Sequence, residues 1–503
     1  YSNSSGYIVM TRDSDSVKIG GDLYIQNSNY SNNLTAGTIE LKGNFIQKKG
    51  YDSNFTPSGT HKMVLTGTEK QTISFESPSS SKFNVLDVRG SAGAVISPAS
   101  LQATTLYGVD KLEISSKDTA LTLIKTNTTL ETDAVINSGL VLNGGSLNQA
   151  GFKLDVKGSF ETSGTIDLNS GKLNVESDLT LTGGKIDINK GNITVGGNIL
   201  QPSGIMEIRM GSLDVVGDYR LQTRNVNEEG VVSYSNSSGY IVMTRTSDSV
   251  KIGGDLYIQN SNSSNNLTAG TIELKGSFIQ KKGYEYNFSP SGTHKMVMTG
   301  TKKQTISFET PNSSKFNILD LQGAVGAVIN PTSIQTTTLY GIEKLEIPST
   351  EKTLTLIKTS TSLTQDTVFN FNLVTSGGNI DFAGYGLNIK GGFSSSATMD
   401  LNQGKLDVAK DFELTGGKLD INRGKVVVKG NILHSSGIMD IHIGSLEVAG
   451  DYRLQNRTVS EDKITYGNSS GYIVMTRDSD SVKIGGDLYI QNYNYSNNLT
   501  AGT

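Results

Sequence analysis

The chain has 503 residues, with 57 Gly, only 8 Pro, and neither Cys nor Trp. Its 44 basic and 48 acidic residues leave a net charge of −4, which gives no electrostatic footprint for nucleic acid, and the lack of Cys excludes disulfide staples and thiolate metal sites. At 35% hydrophobic content, one compact core of this length is not expected, and an array of small units is.

In chain order, GYIVMTR from Gly6 and SVKIGGDLYIQN from Ser16 alternate apolar and polar residues and predict strands. The polar tract NSNYSNNLTAG separates them from TIELKGNFIQKKG. VKIGGDLYI, IELKGNFIQ and LDVVGDYRL share one pattern, apolar-x-apolar-x-Gly-x-apolar, with Gly21, Gly43 and Gly217 at the shared position. Glycine there is expected to supply backbone freedom for a sharp corner. HKMVLTG from His61 and SKFNVLDVRG from Ser81 continue as strands, and the stretch 97–125 is the least regular. No amphipathic helix is predicted, and no window reaches the roughly 20 apolar residues of a membrane helix.

From Lys153 the chain repeats on a short period. Blocks beginning at Lys153, Lys172, Asn192 and Ser212 are 19, 20 and 20 residues apart. Each carries short alternating runs, such as KLNV, DLTL and KIDI, separated by Gly, Asn or Ser. This is the pattern of an all-β chain wound as a parallel β-helix, a β-solenoid with rungs of about 20 residues. Leu154, Leu173, Ile193 and Leu213 are predicted to stack inward, as are Val156, Val175, Val195 and Val215. Asp155, Asn174, Thr194 and Asp214 then face out, because side chains alternate along a strand.

A longer repeat encloses the short one. YSNSSGYIVMTR starts at Tyr1 and again at Tyr234, and YGNSSGYIVMTR starts at Tyr466. The units are therefore 1–233, 234–465 and the beginning of a third at 466–503, with lengths of 233 and 232. At about 4.8 Å per rung, a unit of roughly 11 rungs would extend on the order of 50 Å. The single deletion falls in RNVNEEGVVS against RTVSEDKIT, which predicts a surface loop or linker. Because the chain starts and stops inside a repeat, it reads as an excerpt of a longer protein.

The string SGTHKMVLTGTEKQTISFESPSSSKFNVLDV, Ser58 to Val88, recurs as SGTHKMVMTGTKKQTISFETPNSSKFNILDL from Ser291 to Leu321. It resembles repeat modules of long tandem-repeat exported surface proteins of Firmicutes. The rungs resemble filamentous-haemagglutinin-like β-helices. The resemblance implies an extracellular or cell-surface bacterial location and carries no catalytic residues with it.

One constellation bears on chemistry. Asp167, Asp187 and Glu207 occupy the same rung position, and Asp400, Asp420 and Asp440 repeat it. Stacking would set these carboxylates side by side, where like charges raise a pKa or recruit a cation. Three readings follow. One is an ordinary charged outer face, since Lys185, Lys190, Arg209 and Lys418 are near in sequence. The others are a weak cation ladder and a pair of catalytic carboxylates acting on polysaccharide. RDSDS from Arg12 is expected to be turn chemistry rather than a calcium loop, because its counterpart is RTSDS and the full Ca²⁺ pattern is absent. The four His are expected at edges or surfaces, and no Ser-His-Asp arrangement or phosphate loop is visible. Tyr24, Tyr30 and Tyr51 beside polar loops suggest sugar stacking, and Asn3, Asn29, Asn33 and Asn54 in Asn-x-Ser/Thr matches suggest surface loops.

The expected function is a structural repeat segment of a giant extracellular bacterial surface protein, forming a rod, fibre or sheath. It is expected to self-associate end to end or laterally and to need no cofactor or nucleic acid. The alternatives are a glycan-binding adhesin stalk and a polysaccharide-degrading enzyme.

Overall fold

The computed structural model describes residues 3–28, 33–51, 53–116, 119–261, 266–349, 352–460, 463–493 and 498–503. Tyr30 and Asn29 lie outside these. Strands make up 53% of the chain, in about 23 turns of parallel β-solenoid with rungs about 20 residues apart. Two compact units result, Tyr1–Thr271 and Ile272–Thr503. This division lies 38 residues after the first sequence-repeat boundary (271 − 233 = 38), because a solenoid can be cut between any two rungs.

In the first unit the register runs Leu154–Leu173–Ile193–Leu213–Val250 and Val156–Val175–Val195–Val215–Ile252. All ten side chains are buried. Between them Asp155, Asn174, Thr194 and Asp214 stay partly exposed. The second unit repeats the ladder as Leu387–Leu406–Val426–Leu446–Val482 and Ile389–Val408–Val428–Val448–Ile484. β-Branched residues and Leu at one position thus bury one face, while each backbone finds hydrogen-bond partners in the rungs on either side.

The early rungs of each unit are packed by aromatics instead. Phe45 touches Phe55, Phe75 and Phe83 at centroid distances of 4.8, 5.2 and 4.8 Å. Phe278 makes the same contacts with Phe288, Phe308 and Phe316 at 4.8, 5.1 and 4.8 Å. The rungs here are longer than 20 residues, and rings fill their interior in place of Val and Leu.

Three expectations are corrected. Gly43 and Gly217 are not needed for a left-handed corner. A Cβ on Gly43 would lie 2.3 Å from the Gly21 carbonyl, and one on Gly217 would lie 2.4 Å from Asn198 Oδ1. Close rung contact, not backbone freedom, selects glycine here. The left-handed corners are built from other residues. Asn169–Ser170, Asn189–Lys190 and Arg209–Met210 have positive φ in succession, as do Asn402–Gln403, Asn422–Arg423 and His442–Ile443.

The deletion falls at an exposed turn, as a surface loop would, but the chain on either side of it is strand rather than linker. Tyr219–Val226 pairs antiparallel with Val232–Asn236, and Tyr452–Ser460 pairs antiparallel with Lys463–Asn468. Within each unit these hairpins are the exceptions to parallel pairing among the described residues. Their outer strand residues are exposed, so they stand off the solenoid as flaps. Finally, Asn54 is fully buried, with its amide donating to the Lys48 carbonyl at 2.9 Å, and it does not mark a surface loop.

Candidate functional site

The carboxylate ladder forms in the expected register. Asp167 pairs with Asp187 and Asp187 with Glu207. Asp400 pairs with Asp420 and Asp420 with Asp440. The second ladder begins one rung earlier than the sequence suggested, at Asp381, which pairs with Asp400. Asp381 sits in NIDF, after an irregular rung, so the repeat alignment did not reach it.

Each ladder ends in ion pairs. Lys185 Nζ reaches Asp187 at 3.1 Å and also pairs with Glu207, while Arg209 reaches Asp187 at 3.0 Å. In the second unit Lys418 Nζ bridges Asp420 and Asp440 at 2.8 and 2.9 Å, and His442 Nδ1 lies 2.9 Å from Asp420. Lys190 joins neither network through any contact of its side chain. The Asp187 side chain is only 9% exposed, while Glu207, Asp420 and Asp440 are partly exposed like the other outward strand residues.

The electrostatics follow from these contacts. Burial alone would raise the Asp420 pKa, but hydrogen bonds from Lys418 and His442 outweigh it and hold the carboxyl below its usual range. Burial likewise opposes the charge on Lys418, and its two carboxylate partners raise its pKa overall. The upper carboxylates do backbone work instead. Asp167 Oδ1 accepts the Asn169 N–H at 2.9 Å, and Asp400 Oδ1 accepts the Asn402 N–H at 2.9 Å. Asp381 Oδ1 accepts the Ala383 N–H at 2.8 Å. These are Asx turns that lead the chain into the left-handed corner.

Asp420, Asp440 and His442 offer ligand atoms all within 4.8 Å of one another. The Lys418 ammonium already lies between the two carboxylates, so a divalent cation would have to displace it. We expect 1:1 Zn²⁺ binding to raise the melting temperature of Lys418→Met, which leaves the three ligands without their resident cation. The wild-type chain should show no shift at the same concentration in differential scanning fluorimetry. An equal shift in both would show that the ammonium does not hold the position.

No protein-family model, curated protein or solved structure matches the chain. Function must therefore be read from the residues themselves.

Three of the four histidines are not where the sequence placed them; His442 alone lies partly exposed, on the outer face. His61 and His294 are 1% exposed and His434 is fully buried. Burial depresses all three to a pKa of about 4. His61 has no partner on either ring nitrogen. His434 Nε2–H donates to the Gly437 carbonyl at 3.0 Å, and Nδ1 accepts the Tyr452 hydroxyl at 2.9 Å. In the first unit Gln201 makes the matching contacts, accepting from Tyr219 at 2.5 Å and donating to Gly204 at 2.9 Å.

An acid-sensitivity prediction follows. The His434 pKa falls from 6.5 to about 4 on folding, so the unfolded chain takes up the proton first as pH drops. Its neutral, folded form therefore contributes fully above pH 6.5 and loses that contribution between pH 6.5 and about 4, a change on the order of 3 kcal/mol. His434→Gln should leave stability at pH 7.5 nearly unchanged and remove this share of the acid loss. Urea unfolding of the second unit across pH tests it. Equal acid loss in the variant would refute the assignment.

The turn reading of RDSDS fits the geometry. Asp15 Oδ2 accepts the Thr11 and Arg12 N–H groups at 2.9 and 3.0 Å. Tyr24 is 59% and Tyr51 36% exposed, so both present faces to solvent.

Proposed function

We propose that this chain is a structural repeat segment of a large extracellular bacterial surface protein, acting as a stiff spacer that assembles with further copies of itself. The observation that carries this reading is the ladder of near-identical rungs in each unit. Inward Val and Leu positions stack in register through five successive rungs, and the conspicuous carboxylates close corners or sit in ion pairs. Such residues make a repeating mechanical element, in which each rung is stabilised by its neighbours. No described helix is long and apolar enough to cross a membrane.

An enzyme reading is less well supported, because general acid–base catalysis on a glycan needs one carboxyl group able to carry a proton near neutral pH. The Lys418 and His442 contacts drive Asp420 the opposite way. The test is sedimentation velocity on the 503-residue chain over a wide concentration range, together with a reducing-end assay on plant and bacterial polysaccharides. Concentration-dependent assembly without sugar release supports the structural reading. Sugar release abolished by Asp187→Asn would overturn it.

A further inference from the structure

The hairpin flap of the second unit overhangs a groove of about 470 Å³ on the solenoid flank. Its floor is the outward row Val374, Ser394, Glu413 and Leu433, one residue from each of four successive rungs. Its wall is the flap, where Arg457 and Tyr466 face each other in register. The wall is braced from below. Arg453, held by Asp451 at 2.9 Å, lies between the rings of Tyr466 and Tyr489, 4.9 and 3.8 Å from their centroids. Tyr466 remains 40% exposed.

Two charges in this groove have no partner. Glu413 on the floor and Arg457 on the wall make no ion pair or side-chain hydrogen bond with any described residue. A ligand of one charge would satisfy one of the two groups and be repelled by the other. Hydroxyl groups satisfy both, because they donate to a carboxylate and accept from a guanidinium. A partly exposed tyrosine ring beside apolar Leu433 and Val374 offers a surface for the C–H face of a sugar. The floor strands are paired with rungs on both sides, which leaves no free edge there for an extended peptide. Successive floor positions are about 4.8 Å apart, close to the advance per residue of an extended pyranose chain.

We propose that this groove binds a neutral, extended oligosaccharide. Tyr466 is the stacking platform, and Arg457 and Glu413 are the hydroxyl-recognising pair. The wall recurs in the first unit. Arg224 faces Tyr234 across the flap, and Arg220 lies 4.8 Å from the Tyr234 ring and 3.6 Å from the Tyr257 ring. The floor carboxylate there is Glu161, at the position of Ser394, while Thr180 takes the place of Glu413. The two units would thus read sugars one rung out of step. This inference stands apart from the structural role, since a chain can assemble whether or not its flank holds sugar.

The test is isothermal titration of the 503-residue chain with cellohexaose, xylohexaose and chitohexaose, and with a heparin hexasaccharide and polyglutamate as charged controls. At least one neutral hexasaccharide should bind saturably and with little salt dependence. The paired variants Tyr466→Ala/Tyr234→Ala and Arg457→Ala/Arg224→Ala should each weaken it about tenfold with the melting temperature kept. Glu413→Gln, a milder change, should weaken binding at the second unit and gives a readout if a flap variant fails to fold. No binding by any neutral sugar, binding of the charged controls alone, or sugar binding indifferent to all these variants would overturn the proposal.

Discussion

Asp248→Ala is expected to destabilise the first unit by about 3 kcal/mol. Asp248 is 1% exposed and accepts three backbone N–H groups. Two come from its own turn, Thr244 at 2.8 Å and Arg245 at 3.0 Å. The third is the Met210 N–H at 2.6 Å, which lies in the left-handed corner of the rung beneath. Truncation takes the acceptor from three part-buried donors at once and releases a corner formed by non-glycine residues at positive φ. Asp480 repeats the buried arrangement, taking the Ile443 N–H at 2.6 Å. Urea unfolding of the variant, with hydrogen exchange at Met210, measures the loss. Unchanged exchange at Met210 would show that the inter-rung bond does not hold the corner.

Phe45→Ala should cost about 3–5 kcal/mol, because it removes the ring at the centre of the four-phenylalanine cluster and leaves a cavity that rigid neighbouring rungs cannot close. Phe45, Phe55, Phe75 and Phe83 are each no more than 1% exposed. Since rungs stabilise chiefly their neighbours, lost protection should concentrate in strands Phe45–Gln47 and Gln71–Phe75 and leave Lys172–Val175 protected. Phe45→Leu should recover most of the loss. Hydrogen-exchange mass spectrometry shows whether the damage is local. Uniform loss along the first unit would contradict nearest-neighbour stabilisation.

The sequence made the rung legible because a period of about 20 residues and apolar alternation are both local signals. Leu154, Leu173, Ile193 and Leu213 could be aligned by eye, and the ladder carboxylates came with them. Other features depend on what lies one rung away. Asp248 reads in sequence as part of a polar turn, yet it also holds the corner of the rung before it through the Met210 N–H. His434 precedes Ser435 and Ser436 and reads as surface, yet a neighbouring tyrosine and carbonyl enclose it. The flaps were hidden for a different reason. Val232–Asn236 is exposed along its whole length, and its two alternating apolar residues, Val232 and Tyr234, run into the polar SNSSG that follows, too short a signal to mark a strand. The corners were equally illegible, since Arg209–Met210 and His442–Ile443 carry none of the Gly that usually marks positive φ.

Electron microscopy of the assembled chain bears most directly on the proposed role. The account predicts straight filaments with a 4.8 Å rung spacing along the axis. A second axial period should appear at about 50 Å, or a simple multiple of it, set by the 232–233-residue repeat. Monodisperse single particles at every concentration, or filaments lacking the rung spacing along their axis, would contradict it.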